Sequence, residues 1–261
     1  MVALPDLPYS PAFYRRQSGG SLTSAEVVLP IVFEPLHPKS VLDIGCGVGT
    51  WLAAARKLGA ERLVGYEGEH MTTDKLVDPT IDLRRHDLET YEYETMPRVD
   101  LAMSLEFGEH VSPAAGDRLV AALCGAADAV LFGAAIPGQG GRHHVNEQWP
   151  SYWMKRFADH GFAAYDVIRP RVWDDDAVEP WYAQNTFLYL NTRTDHSFKV
   201  ALRASLGQQR ANELSDAVCP RMWATAQGRL HDPAMVDVAR YALMLPGALA
   251  RRFGRWLAKP T

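Results

Sequence analysis

The residues best suited to chemistry stand in one run, Val41-Leu42-Asp43-Ile44-Gly45-Cys46-Gly47-Val48-Gly49-Thr50-Trp51. Three glycines alternate with other residues between an apolar stretch and a segment of helical spacing. Glycine tolerates positive φ and leaves backbone bare, so a ligand can lie directly on such a turn. The run by itself does not name that ligand. A dinucleotide-binding turn carries glycine or alanine where Thr50 stands here, because helix and strand must pack closely at that point. Asp43, two residues before the first glycine, adds a carboxylate at the same place. It can satisfy the amides of the turn or reach, through water, the amine of a ligand bearing an amino acid.

Two further acids follow in order. Glu67 closes a second apolar stretch (LVGYEG), where a carboxylate can accept both hydroxyls of a ribose. Asp87 follows a third (RRHDL), where it can accept the exocyclic amine of an adenine. A strand-end acid is commonly just solvated, so each alone says little. The ordered set describes a pocket for adenosine joined to an amino acid, with no basic clamp for phosphates. That combination points to S-adenosylmethionine as the cofactor.

Such residues need a scaffold that gathers strand ends at one edge. Short apolar runs predict strands at 40–45, 62–66, 81–85, 99–104, 129–134, 162–168 and 186–190. Helical spacing predicts helices at 24–37, perturbed by Pro30, and at 50–58, 115–127 and 151–160. Strands separated by helices imply right-handed crossovers and a mostly parallel sheet covered on both faces. The last two strands lack a convincing intervening helix, which predicts an antiparallel pair at one edge. The expected fold is therefore α/β, a Rossmann-like, doubly wound, mostly parallel seven-stranded sheet with an antiparallel edge hairpin. Residues 1–38 are expected to form an N-terminal helical arm or lid whose first 21 residues are irregular. Residues 39–192 are expected as the binding domain and 193–261 as a C-terminal helical extension.

Residues 40–135 resemble the class I S-adenosylmethionine-dependent methyltransferases. VLDIGCGVGTWL looks like their glycine-rich motif I and GYEG like their acidic motif II, with Glu67 where aspartate is commoner. HDL is similar to their adenine-contacting loop, and DLAMSLEFGEHV to their motif after the fourth strand. The resemblance implies that Gly45, Cys46, Gly47 and Gly49 face the methionyl portion and ribose, with Asp43 near the amino group. It further implies that Glu67 and Gly68 hold the ribose and that Asp87 and the Leu88 backbone read adenine. Ser104 and Leu105 continue the wall, and Glu106, Glu109 and His110 lie at the reaction edge. The segments GQGGRHHVNEQWPSYW and EPWYAQN look like those of a bacterial subgroup associated with secondary metabolites or surface sugars.

A sulfonium donor is already activated, so the protein's main task is alignment, and an oxygen nucleophile also needs its proton removed. His110 is the first base candidate, or a helix-start histidine bonding backbone. The segment 136–150 follows the fifth strand and should overhang the reacting methyl group, its glycines suggesting a mobile lid. His144 and Asn146 are its catalytic candidates, and Tyr182, from an aromatic patch that can wall a small-molecule pocket, is a further catalytic candidate. A metal site on His143–His144 is not expected: adjacent side chains diverge, and no third ligand is spaced to join them. The leading expectation is O- or N-methylation of a small molecule. The alternative is intramolecular cyclisation of S-adenosylmethionine to azetidine-2-carboxylate and methylthioadenosine, suggested by Asn146, Gln148 and Tyr182 near the amino acid end. A nicotinamide-dependent oxidoreductase is disfavoured by Thr50 and Asp87, and a non-catalytic sensor requires the helical tail to dominate.

Composition narrows the partners. The 261 residues are 47% hydrophobic and 22% charged, as in a soluble globular protein. A net charge of −4 carries no footprint for nucleic acid. Three scattered cysteines fit a reducing compartment, and no secretory leader is evident, so the expected location is cytoplasmic. No run of 18 apolar residues exists to span a membrane. From Arg240 onward basic residues (Arg251, Arg252, Arg255, Lys259) interleave with apolar ones without any acid. That tail reads as a helix packed on its own domain or on a second subunit, allowing a homodimer, or as an amphipathic helix on anionic lipid.

Overall fold

The computed structural model describes residues 11–94, 96–194 and 216–224, and for residues 11–18 only the backbone. It holds one seven-stranded sheet in the order β3-β2-β1-β4-β5-β7-β6. The strands are β1 (Ser40–Ile44), β2 (Arg62–Glu67), β3 (Asp82–Arg85), β4 (Leu101–Leu105), β5 (Ala129–Gly133), β6 (Phe162–Tyr165) and β7 (Phe187–Asn191). β7 pairs antiparallel with both β5 and β6, whereas the other pairings are parallel. The doubly wound sheet with its antiparallel edge is thus the fold expected from the strand pattern.

Strand order reverses between β1 and β4, which lie side by side in the middle of the sheet. Crossovers leave those two strands toward opposite edges and open a crevice at their carboxyl ends, where ligands bind in such sheets. The helices are α1 (Pro11–Leu36), α2 (Thr50–Lys57), α3 (Pro113–Ala126), α4 (Pro150–Asp159), α5 (Arg169–Val172) and α6 (Pro180–Asn185). Successive strand residues point to opposite faces. Val41, Leu63, Leu101 and Leu188 therefore join the core under α1 and α2, while Leu42, Val64, Ala102 and Tyr189 join the one under α3 and α4. Asp43 shares the face of Val41.

Two expectations need correction. Residues 11–21 are helical rather than irregular, because α1 runs continuously from Pro11 through Pro30. Ala25, Val28, Leu29, Val32 and Phe33 are buried in the first core, and this burial outweighs the local cost of the proline. The link between β6 and β7 is not helix-free either. Prolines at the first turns of α5 and α6 start two short helices there. The basic tail beginning at Arg240 lies outside the described residues. Among the described residues no helix is long and apolar enough to cross a membrane.

Candidate active site

β1 ends at Ile44 and the chain turns through Gly45 (φ 78°), Gly47 (φ 54°) and Gly49 (φ 81°) into α2. The glycines do different jobs. A Cβ on Gly45 would stand 2.3 Å from the Phe107 ring, and one on Gly49 would stand 2.5 Å from Ile81. A Cβ on Gly47 would meet nothing within 4 Å. Gly47 thus leaves bare backbone facing open space, as the ligand-cradling reading requires.

A cleft partly open to solvent lies over this turn. Asp43, Gly45, Cys46, Gly47, Val48, Thr50, Trp51, Leu105 and Glu106 line it, joined by Ser21 from α1 and Tyr182 from α6. Asp43 is 2% exposed, and its Oδ1 has no hydrogen-bond partner. Burial, and then the nearby charge of Glu67, push its pKa up to about 8. An orphaned, buried carboxyl in the lining of a cleft is chemically suited to receive a cation.

Glu67, at the end of β2, holds the turn in shape. Its Oε2 accepts from the Gly47 amide and its Oε1 from the Gly68 amide, both at 2.8 Å. Each carboxylate oxygen keeps a further lone pair for a ligand hydroxyl. Cys46 tucks its sulfur toward Gly65, where a Cβ would come within 2.7 Å of it. Burial holds that thiol well above its usual range, so it is no nucleophile. On the far wall the Tyr182 hydroxyl donates to Ser21 Oγ (3.2 Å), which bonds Thr50 Oγ1 (2.9 Å). The Trp51 and Tyr182 rings meet edge-on at 5.0 Å.

Other expected residues lie away from this lining. Asp87 is exposed and accepts from the Glu89 amide at 3.1 Å, capping its own turn. Leu88 is buried in the second core. Ser104 donates to the Ile44 carbonyl at 2.8 Å and ties β4 to the end of β1. Asn146 is buried, donating to the Gly108 carbonyl (3.4 Å) and accepting from Gln148 (3.1 Å). Those bonds pin the loop after β5 to the turn after β4 rather than present an amide to the cleft.

The turn after β4 holds a second group of buried polar side chains, which no local sequence pattern marks as a unit. Glu106 has φ 52°, a conformation unfavourable for a residue with a Cβ. It is held there by three bonds: its amide donates to the Gly133 carbonyl (2.8 Å), and its carboxylate accepts from Gln139 (2.6 Å) and Asn185 (2.7 Å). Asn185 also donates to Gln139 Oε1 at 2.9 Å. Burial raises the Glu106 pKa to about 6 despite these bonds. Glu109, 0% exposed, is held well above the ordinary carboxyl range by burial and by Glu106.

His110 and His144 meet beside Glu109, ring centroids 4.9 Å apart. His110 keeps an exposed edge, yet packing around its ring, and then His144, lower its pKa to about 4. It is neutral at physiological pH. The expectation concerned the His143–His144 pair, and His143 does not join this group; the fold brings Glu109 and His110 to His144 alone, from another loop.

The sequence of residues 22–162 matches the family model described as a methyltransferase domain. The chain belongs to the class I S-adenosylmethionine-dependent methyltransferases. No curated protein matches the sequence. Among solved structures this methyltransferase is similar in fold to CalS10, described as an S-adenosylmethionine-bound amino pentose methyltransferase of calicheamicin biosynthesis from Micromonospora echinaspora. The identity is 16%, covering 74% of this chain and 100% of that one, with a TM-score of 0.51. LaPhzM is similar at 15% identity over 69% of this chain and 57% of its own, with the same TM-score of 0.51. At such identities the likeness concerns the fold. The chain's own residues fit the family's cofactor. Partnerless Asp43 suits its ammonium group, and the open face of Gly47 suits its ribose and methionyl chain.

Proposed function

We propose that this methyltransferase transfers a methyl group from S-adenosylmethionine to an oxygen or nitrogen of a small molecule. The buried, partnerless carboxyl of Asp43 in the lining of the cleft carries this reading. When bound, the cofactor supplies an electrophilic methyl group on a sulfonium.

The chain's residues do the rest. Asp43 receives the ammonium end, and Glu67 keeps the Gly47 amide oriented while offering its remaining lone pairs to the ribose. Trp51 and Tyr182 present aromatic surface where a cation can be stabilised without being attacked. Holding nucleophile, carbon and sulfur in line can lower the barrier by about 7–11 kcal/mol. Neutral His110 can accept a proton from the acceptor. Tyr182 cannot: burial pushes its pKa up to about 12, so it stays protonated.

A net charge of −4 supports a small acceptor over a nucleic acid, and secondary metabolism or sugar modification is the expected setting. Free Cys46, Cys124 and Cys219 support a reducing, cytoplasmic location. Cyclisation loses its main support, since Asn146 and Gln148 bond each other. The test incubates the protein with S-adenosylmethionine, first alone and then with pools of hydroxylated and amino compounds and with RNA, and follows products by mass spectrometry. S-adenosylhomocysteine formed only with a small acceptor is expected. Methylthioadenosine without acceptor, or methylated RNA instead, overturns the reading.

A further inference from the structure

Glu109, His110 and His144 offer one carboxylate oxygen and two imidazole nitrogens within 4.8 Å of one another. Two observations raise this above a chance cluster. Glu109 is 0% exposed, and neither of its oxygens has a partner at good hydrogen-bond geometry; the Glu106 carboxyl and the Ala135 and Glu109 backbone lie beside them. A buried carboxyl with neither oxygen well bonded is costly unless something else meets it. Second, His144 is oriented from behind, its Nδ1 lying 2.9 Å from Glu147 Oε1 and its Nε2 facing Glu109 Oε1 at 4.0 Å. A carboxylate on the far nitrogen of an imidazole is the usual support of a metal-bound histidine.

We propose that Glu109, His110 and His144 form a binding site for a divalent first-row transition ion, whose open positions take an oxygen of the methyl acceptor. Two nitrogens and one oxygen favour manganese, cobalt or zinc over magnesium or calcium, which prefer all-oxygen shells. Ligand atoms around such an ion sit about 3–3.5 Å apart, given bond lengths of about 2.0–2.2 Å. The cluster must therefore contract by roughly 1 Å. The segment that carries His144 can supply this, since Gly138 (φ 87°) and Gly140 (φ 70°) precede it. Glu147 also accepts from the amides of Gly138 (2.8 Å) and Gly140 (2.9 Å), so the supporting carboxylate and the glycine segment move together.

The site adjoins the cofactor cleft. Glu106, which lines that cleft, begins the turn that ends in His110. Three protein ligands leave positions free for an acceptor hydroxyl; with His110 engaged as a ligand, the ion takes over from a free imidazole by raising that hydroxyl's acidity. The acceptor class is then a hydroxylated small molecule. This last step rests on the methyltransferase reading, but ion binding itself does not.

The test uses untagged full-length protein freed of metal by chelator and titrated with Co2+ alone, followed by calorimetry and by the visible absorption of bound cobalt. One ion per chain is expected, with Mg2+ failing to displace it at equal concentration. Glu109→Gln and His144→Ala should each weaken Co2+ binding at least tenfold. Glu147→Gln should weaken it about tenfold while keeping one ion per chain. S-adenosylhomocysteine binding and thermal unfolding, measured on every variant, certify the fold. Absence of saturable Co2+ binding by the wild type, or equal affinity in Glu109→Gln and His144→Ala, overturns the site. Cobalt binding without S-adenosylhomocysteine binding keeps the site and overturns the methyltransferase reading instead.

Discussion

With Asp43 as the proposed receptor for the cofactor's ammonium group, affinity should depend on pH in a direction that can be worked out beforehand. Its carboxyl is 2% exposed, and its pKa is raised from 3.8 to about 8 by burial and by Glu67. At pH 7 the ligand-free protein therefore holds this proton in roughly nine molecules of ten. A bound ammonium favours the ionised carboxylate, so binding must expel the proton. Between pH 5 and 7.5 the affinity for S-adenosylhomocysteine should rise by nearly tenfold per pH unit. At pH 7 calorimetry in two buffers of different ionisation enthalpy should report close to one proton released. Asp43→Asn should abolish both the slope and the release, and should weaken binding at pH 7.5 by about 10- to 100-fold, the worth of a hydrogen bond to a charged group.

The stability of the ligand-free protein should move the opposite way. The native state retains a proton that the unfolded chain loses, so stability is fully present below pH 3.8 and declines as pH rises toward about 8. The slope is at most about 1.4 kcal/mol per pH unit. Asp43→Asn should flatten it. A wild-type affinity that is level across pH 5–7.5, or an asparagine variant that binds as tightly as its parent, would refute the reasoning.

Four other variants test the remaining parts. Gly45→Ala should cost about 2–4 kcal/mol in denaturant unfolding, because it combines φ 78° with a 2.3 Å clash against Phe107. Gly47→Ala should cost only about 1 kcal/mol in stability while losing more than tenfold in S-adenosylhomocysteine affinity; equal destabilisation of the two variants contradicts this division of labour. Tyr182→Phe should leave the pH profile of turnover unchanged, whereas a loss beyond about 100-fold makes the hydroxyl a proton carrier after all. Arg169→Met should lower stability by about 3 kcal/mol. The guanidinium is buried, pairs with Asp166 at 2.6 Å and lies 4.4 Å over Phe187, so an unchanged melting curve dismisses the pair's role.

Much of this protein is legible in one dimension because its signals are local. The apolar runs beginning at Ser40, Arg62 and Ala129 become strands since each is long enough to cross the sheet and is ended by a turn or helix start. The glycine turn announces itself because positive φ and bare backbone admit almost no other residue at Gly45, Gly47 and Gly49. Glu67 follows from register, being the last residue of β2 and hence beside that turn.

Tertiary structure decided what depends on distant partners. Nothing near Ser21 in the chain marks it as part of the cleft; α1 carries it to Thr50 and Tyr182, 29 and 161 residues away. Whether an acid is solvated, structural or poised for a ligand turns on burial. Asp43 and Asp87 look alike as strand-end acids, yet one is orphaned in a cleft and the other caps its own turn. Gln139 and Asn185 converge on Glu106 only because β5 and β7 bring their loops to the same sheet edge. Adjacent histidines diverge, as the chain's geometry demands, but convergence with Glu109 and His110 comes from another loop across the fold. Spacing along the chain constrains which neighbours can meet, and only packing determines which strangers do.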